Sequence, residues 1–286
     1  MRFRHHQPDV RLRDVVQDYW ELEDLHLSAP EHNADMPERT VRLMFSAEQM
    51  WVGPSVDALR PVLPVTLSRF SLQPRNLVVQ GRLRALVVEF YPWAARQLLG
   101  WSAEMVPDAL DAALSASIWG REVVALMQLQ DWDAAREALE THLLHLSSGQ
   151  GEPGMGVRAA RQIYQSSGTV RVAKLAEELN LSPRTLERQF VQQVGVSAKS
   201  LARVVRFDKV NTRIRENPAV PMAELTFELG FFDQAHLIKE FKALSSMTPG
   251  AFAVIAAQRS SIIDLSNGGD HHIEVGMQST NDSESV

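Results

Sequence analysis

The run TVRVAKLAEELNLSPRTLERQFVQQVGVSAKSL, residues Thr169 to Leu201, decides how the chain is read. Leu175, Ala176 and Leu179 put apolar side chains on one face of a short helix, and Leu186, Phe190 and Val194 do the same for a second. Asn180, Leu181 and Ser182 make the turn between them. The Ser182 hydroxyl is placed to cap the second helix, and Pro183 sits at its first position, where a missing N–H costs nothing. Two short helices around a tight turn, the second carrying exposed charge, predict a helix-turn-helix.

The pattern returns. Leu225, Leu229, Gly230 and Phe231 match Leu175, Leu179, Asn180 and Leu181 at an offset of 50 residues. After a one-residue insertion in the turn the offset is 51, pairing Leu186 with Leu237, Phe190 with Phe241, Ser197 with Thr248 and Leu201 with Phe252. A self-match at fixed offset means one supersecondary unit used twice. Between the copies, Ala198 to Arg215 carries Leu201, Val204, Val205, Val210 and Ile214 at helical spacing. Its 18 residues predict a rod of ~27 Å, against ~34 Å between successive major-groove faces, so one chain can reach two adjacent turns of DNA.

Charge follows the same partition. The chain of 286 residues has a net charge of −6, which by itself argues against a DNA binder. Residues 1–152 hold 14 basic and 21 acidic side chains, a net −7; residues 153–259 hold 15 and 9, a net +6; residues 260–286 hold none and 5, a net −5. All five lysines (Lys174, Lys199, Lys209, Lys239 and Lys242) lie in the middle segment. Positive charge concentrated on the repeat is what phosphate binding requires. The absence of cysteine rules out disulfides and thiolate metal sites and suits a reducing cytoplasm. The first ten residues lack the apolar core of a signal peptide, and the longest apolar run, Ala85 to Ala95, is too short to span a bilayer.

The front half reads as α+β. Residues 1–35 read as an extended lead-in and irregular region, with a loop from Ser28 to Pro37. Val41, Leu43 and Phe45 alternate with Arg42, Met44 and Ser46, the signature of a half-buried strand. Trp51 to Val56 reads as a second strand broken at Gly53-Pro54, and Leu77–Val79 and Leu83–Phe90 as two strands joined by a turn at Gln80-Gly81-Arg82. Helices are expected from Trp93 to Gly100, Ile118 to Leu129 and Trp132 to Leu146. The fold class is therefore antiparallel strands followed by helices, then an all-α segment with two helix-turn-helix units. Four glycines and a proline in Ser147 to Gly156 mark a flexible linker. The domains expected are residues 1–146, the linker 147–156, a DNA-binding domain 157–259 and a disordered acidic tail 260–286.

The runs LAEELNLSPRTLERQF with VGVSAKSLARVVRFDKV, and MAELTFELGFFDQAHLIKEFK with MTPGAF, resemble the AraC/XylS-type bacterial transcription regulators, over about Gly156 to Gln258. Ala198, Ser246 and Phe252-Ala253 depart from that family's usual Pro, Gly and Tyr-Arg, all at packing or capping positions. The stretches WVGP and VVQGRLRALVVEFYPWAARQLLG are similar to an uncharacterised domain found ahead of such segments.

In a helix-turn-helix the second helix enters the major groove. With Leu186 and Phe190 inward, Arg184, Glu187 and Arg188 face out; arginine suits guanine and glutamate suits cytosine. These positions are also the ones the resemblance implies. In the second unit Gln234, Ala235, His236 and Lys239 face out, with His236 divided between base reading and a structural or phosphate role. Lys199 and Arg203 are candidates for phosphate contact, Asp233 for a cap and Arg206 for a structural ion pair.

The resemblance implies that the front half binds a small effector, mediates dimerisation, or both. Trp20, Arg42, Trp51, Glu89, Tyr91 and Trp93 are candidates for a pocket, beside the alternative that the aromatics are core. The pairs His5-His6, His142/His145 and His271-His272 read as solvated, so no metal, cofactor or catalytic residue is expected. The expected partners are double-stranded promoter or operator DNA, RNA polymerase, a small-molecule effector and a second copy of the chain, with no membrane. Two rivals remain: an enzyme with accessory DNA binding, and a protein-binding adaptor with a degenerate helix-turn-helix.

Overall fold

The computed structural model describes residues 3–263 except 69, 71, 103, 105 and 106. The expected tail disorder beyond residue 263 and the pair His271-His272 lie outside the described residues. The front half is an antiparallel sheet of seven strands: β1 (Phe3–His6), β2 (Val16–Asp35), β3 (Val41–Ser46), β4 (Met50–Gly53), β5 (Arg60–Pro61), β6 (Val65–Leu67) and β7 (Arg75–Phe90). The main order is β1-β2-β7-β3-β6, with β4 paired to β5 and β7. Val41, Leu43 and Phe45 face Phe90, Val88 and Leu86 across the β3–β7 ladder, and all six are buried.

Two turns expected from sequence are absent. β7 runs unbroken through Gln80-Gly81-Arg82 and pairs with β2 along its length. Gly81 has φ +118°, and a Cβ there would lie 2.7 Å from the Gln49 carbonyl oxygen. The glycine marks a close backbone approach inside a strand, a role that shares its local signal with a turn. The stretch from Ser28 likewise continues as β2, with Glu31 to Asp35 paired to Val79 to Arg75. Pro30 falls in the register shift between Leu27 and Glu31, where a residue lacking an N–H interrupts no ladder bond. The lead-in also contributes β1, which pairs with Tyr19 to Leu22 and sets His5 against Asp18 and His6 3.1 Å from Glu21, so neither histidine is simply solvated.

The helices of the front half are α1 (Pro92–Leu99), α2 (Pro107–Ala116), α3 (Ile118–Gln128) and α4 (Trp132–Ser147). Asp131 caps α4 by accepting from the Ala134 N–H at 3.1 Å. α2 is not among the helices expected from sequence; it meets the sheet through Asp111 and Ser115 as well as through the buried Leu114. Asp111 accepts from the Leu67 N–H at 2.8 Å and Ser115 from the Val65 N–H at 3.1 Å, which occupies the edge of β6.

The remainder is helical: α5 (Met155–Gln165), α6 (Val172–Glu178), α7 (Pro183–Val194), α8 (Ala198–Glu216), α9 (Met222–Glu228), α10 (Gln234–Ser245) and α11 (Pro249–Ile263). Thr248 caps α11 through the Ala251 N–H at 3.2 Å, as Ser197 at the corresponding position caps α8. Two buried apolar clusters hold the molecule. The larger joins the sheet, α1 to α7 and the first half of α8; the smaller joins the second half of α8 to α9, α10 and α11, with Met36 from the front half. The division between them falls within α8.

Both α7 and α10 end on a left-handed residue, Gly195 at φ +84° and Ser246 at φ +63°. Serine pays a steric penalty there that glycine avoids. Ser246→Gly is expected to raise stability by about 1 kcal/mol, measured as a higher denaturant midpoint. Gly81→Ala should lower it by about 2 kcal/mol, from strained φ and the Gln49 clash; an unchanged midpoint would contradict the close approach.

Candidate nucleic-acid interface

The first unit is α6, a turn and α7. Asn180 takes φ +53° and the Leu181 N–H donates back to the Ala176 carbonyl at 2.8 Å, which closes the turn. Ser182 then accepts from the Thr185 N–H at 3.1 Å, a cap of the kind that stabilises by about 1 kcal/mol. Leu186, Phe190 and Val194 are fully buried and fix the rotation of α7. That rotation leaves Arg184 and Arg188 exposed and Glu187 half-buried. Among the described residues neither arginine has an ion pair.

The second unit repeats these bonds. Gly230 takes φ +62°, the Phe231 N–H donates to the Thr226 carbonyl at 3.0 Å, and Asp233 accepts from the His236 N–H at 2.7 Å. Leu237 and Phe241 are buried. Gln234, Ala235 and Lys239 are exposed. His236 is half-buried: its Nδ1 accepts from the Phe232 N–H at 3.4 Å and its ring lies edge-on to Phe231, 5.5 Å away. The ring therefore braces the turn. The second unit exposes three large apolar side chains, Phe227 on α9, Phe232 in the turn and Ile238 on α10. The offset of 51 pairs Ile238 with Glu187 and could have found it.

α8 carries the fixtures between the units. Arg203 donates to Glu240 at 2.7 Å, joining α8 to α10, whereas Lys199 is exposed. Arg206, expected in an ion pair, instead donates through Nη2 to the Gly168 carbonyl at 2.7 Å and lies 5.2 Å over the Phe231 ring. It thereby touches the loop ahead of α6 and the turn of the second unit; burial lowers its pKa from the usual guanidinium value. Arg213 pairs with Glu224 at 2.6 Å and Glu228 at 3.3 Å on α9.

The front half grips α7 and α8. Arg96 of α1 donates to the Gln192 carbonyl at 3.2 Å, and a Cβ on Gly195 would lie 3.1 Å from the Trp101 ring, so the C-terminal end of α7 rests on this edge. Arg39 pairs with Asp208 of α8 at 2.9 Å, and the buried Tyr164 hydroxyl donates to the Arg39 carbonyl. Burial raises the Tyr164 pKa well above the usual phenol value.

The six pocket candidates fall into three places. Glu89 accepts from Arg42 at 2.9 Å and from the Trp20 indole at 3.3 Å, with the Arg42 guanidinium 5.7 Å over the Trp20 ring. These three form one half-buried cluster. Tyr91 and Trp93 stack at 4.6 Å and both meet Tyr164 edge-on at 5.3 Å, in the seam with α5. Trp51 stands apart on β4, 40% exposed. Among the described residues no group of three or more His, Cys, Asp or Glu is gathered as metal ligands, and no helix is long and apolar enough to cross a membrane.

Residues 175–253 match a family model described as a helix-turn-helix domain, and residues 4–109 match one described as a domain of unknown function (DUF6597). The Msm operon regulatory protein of Streptococcus mutans serotype c is 30% identical over 115 residues, 40% of this chain and 41% of that protein, so the chain spans less than half of this relative's length. Among solved structures, ToxT from Vibrio cholerae aligns over 89% of this chain and 99% of its own at 9% identity, with a TM-score of 0.45. The C-terminal domain of AraT, a response regulator from Geobacillus stearothermophilus, aligns over 36% and 86% at 24% identity, with a TM-score of 0.34. The chain thus carries a helix-turn-helix domain over residues 175–253, behind a domain of unknown function over residues 4–109.

Proposed function

We propose that the chain is a sequence-specific regulator of transcription in which α7 and α10 enter consecutive major grooves of one operator. The observation that carries this is the pair Arg184 and Arg188, exposed one turn apart at the start of a capped helix and without ion pairs among the described residues. Guanidinium forks held so suit guanine O6 and N7, and Glu187 between them suits cytosine N4. Gln234, Ala235 and Lys239 serve the second groove, with His236 supporting the turn that presents them. α8 has 19 residues, a length of ~28 Å, near the ~34 Å repeat of the groove. Lys199 meets phosphate, and Arg203 contributes from within its pair with Glu240.

Control comes through the front half, by a small effector or by pairing with a second copy. The Trp20–Arg42–Glu89 cluster offers an effector both charge and an aromatic face, and the contacts of Arg96 and Trp101 with the end of α7 give a route to the reading helix. RNA polymerase is the partner at the promoter, and the cytoplasm the compartment.

Selection of bound sites from random DNA with the full-length protein, with and without a metabolite pool, tests this reading; no enrichment of any site would refute it. Arg188→Ala should weaken binding by about 1–3 kcal/mol and relax preference at one base pair, read by gel shift across single-base operator variants. If about six phosphates are contacted, affinity should fall roughly a thousand-fold between ~50 and ~200 mM salt. A flat salt titration would remove the electrostatic basis.

A further inference from the structure

We infer that the second helix-turn-helix unit reads its half-site through thymine methyl groups, with Phe232, Ala235 and Ile238 as the contacting side chains; this rests on the DNA-binding reading above. The register comes from the duplication. The Ser182 and Asp233 caps, the Thr185 and His236 N–H groups they accept from, and the left-handed ends at Gly195 and Ser246 all correspond at an offset of 51. In that register Arg184, Glu187 and Arg188 of α7 correspond to Ala235, Ile238 and Lys239 of α10. The reading positions of the first unit carry two guanidiniums and a carboxylate; those of the second carry a methyl, a butyl group and one ammonium.

Phe232 is the residue inserted in the second turn. Phe231 takes the packed place that corresponds to Leu181, against the small cluster and under Arg206. The insertion therefore adds an aromatic ring without adding to the core, and that ring is 91% exposed. Its backbone is anchored, because its N–H donates to His236 Nδ1 at 3.4 Å one residue before the Asp233 cap. Ile238, one turn into the helix, is 38% exposed. Exposed Lys239 and Lys242 on the same helix supply the charge that phosphates require.

The chemistry selects the occupant. In the major groove the C5-methyl of thymine is the one apolar group on a base edge, and alanine and phenylalanine are side chains that meet it. A guanine–cytosine pair offers only donors and acceptors there, which would lose water and gain no partner against these side chains. The two half-sites then differ in kind: a polar one with guanine and cytosine under α7, and an adenine–thymine one under α10.

The test uses the full-length protein and a site selected from random DNA, with each thymine replaced singly by deoxyuridine, which removes only the methyl. Replacement should weaken binding about fourfold at each contacted thymine, at positions clustered in one half of the site. In the double variant Phe232→Ala, Ile238→Ala the penalty should fall away at the thymines met by those two side chains and persist at the one under Ala235, whereas in Arg188→Ala it should persist at all of them. Both substitutions remove exposed side chains, and an unchanged melting curve confirms the fold. Deoxyuridine tolerated throughout by a protein that binds its selected site overturns the inference and leaves the proposed function standing. A penalty that survives undiminished at every contacted thymine in the double variant also overturns it. Failure to select any site overturns both.

Discussion

A single unbroken helix, α8, sets the geometry on which the rest depends. Ala198, Leu201, Ala202 and Val205 belong to the larger buried cluster, and Phe207, Val210 and Ile214 to the smaller. One rod is thus seated in two cores, and it fixes where α7 and α10 stand. Burying each of these larger apolar side chains stabilises by about 1.5–3 kcal/mol, so bending the rod would break packing at both ends. Arg203, Arg206 and Arg213 add polar fixtures from α8 to α10, to the loop ahead of α6 and to α9. These three guanidiniums are thus engaged within the protein, whereas Lys199 on the same helix is exposed.

The front half is not a separate bead on a string. Its apolar core continues into α5, α6 and α7, and Met36 reaches the cluster of the second unit. The glycine-rich stretch before α5 ends in a docked helix start, where the Gly156 N–H donates to the Gln193 side chain of α7 at 2.9 Å. Arg96 and Trp101 place the edge of α1 against the C-terminal end of α7. Any change at the loop carrying Arg39 acts on α8 through Asp208. These are the mechanical terms in which control by an effector or a second copy would operate.

The reading units were legible because their signals are local. Ser182, Asp233, Thr248 and the apolar anchors announce caps and faces within a few residues, and duplication checks each against the other. The sheet was legible where the period of two is clean, at Val41 to Ser46, and misread where Gly81 and Pro30 imitate turns. Ladder pairing with residues distant in sequence, Leu27 and Met50 for Gly81 and Val79 for Glu31, overrides those local signals. The seam of Tyr91, Trp93 and Tyr164, the Arg206–Gly168 bond and the polar face of α2 on β6 are long-range pairings with no sequence periodicity to betray them. Phe232 and Ile238 were visible in the register of the repeat, but their apolar character reads as core until exposure is known.

The rigidity of α8 can be measured through the DNA. With the selected site in hand, affinity is determined as base pairs are inserted one at a time between the two half-sites. A fixed rod predicts that insertion of about five base pairs, half a helical turn, reduces binding to that of a single half-site. Equal affinity at every spacing would contradict it, since the two reading helices would then be free of one another.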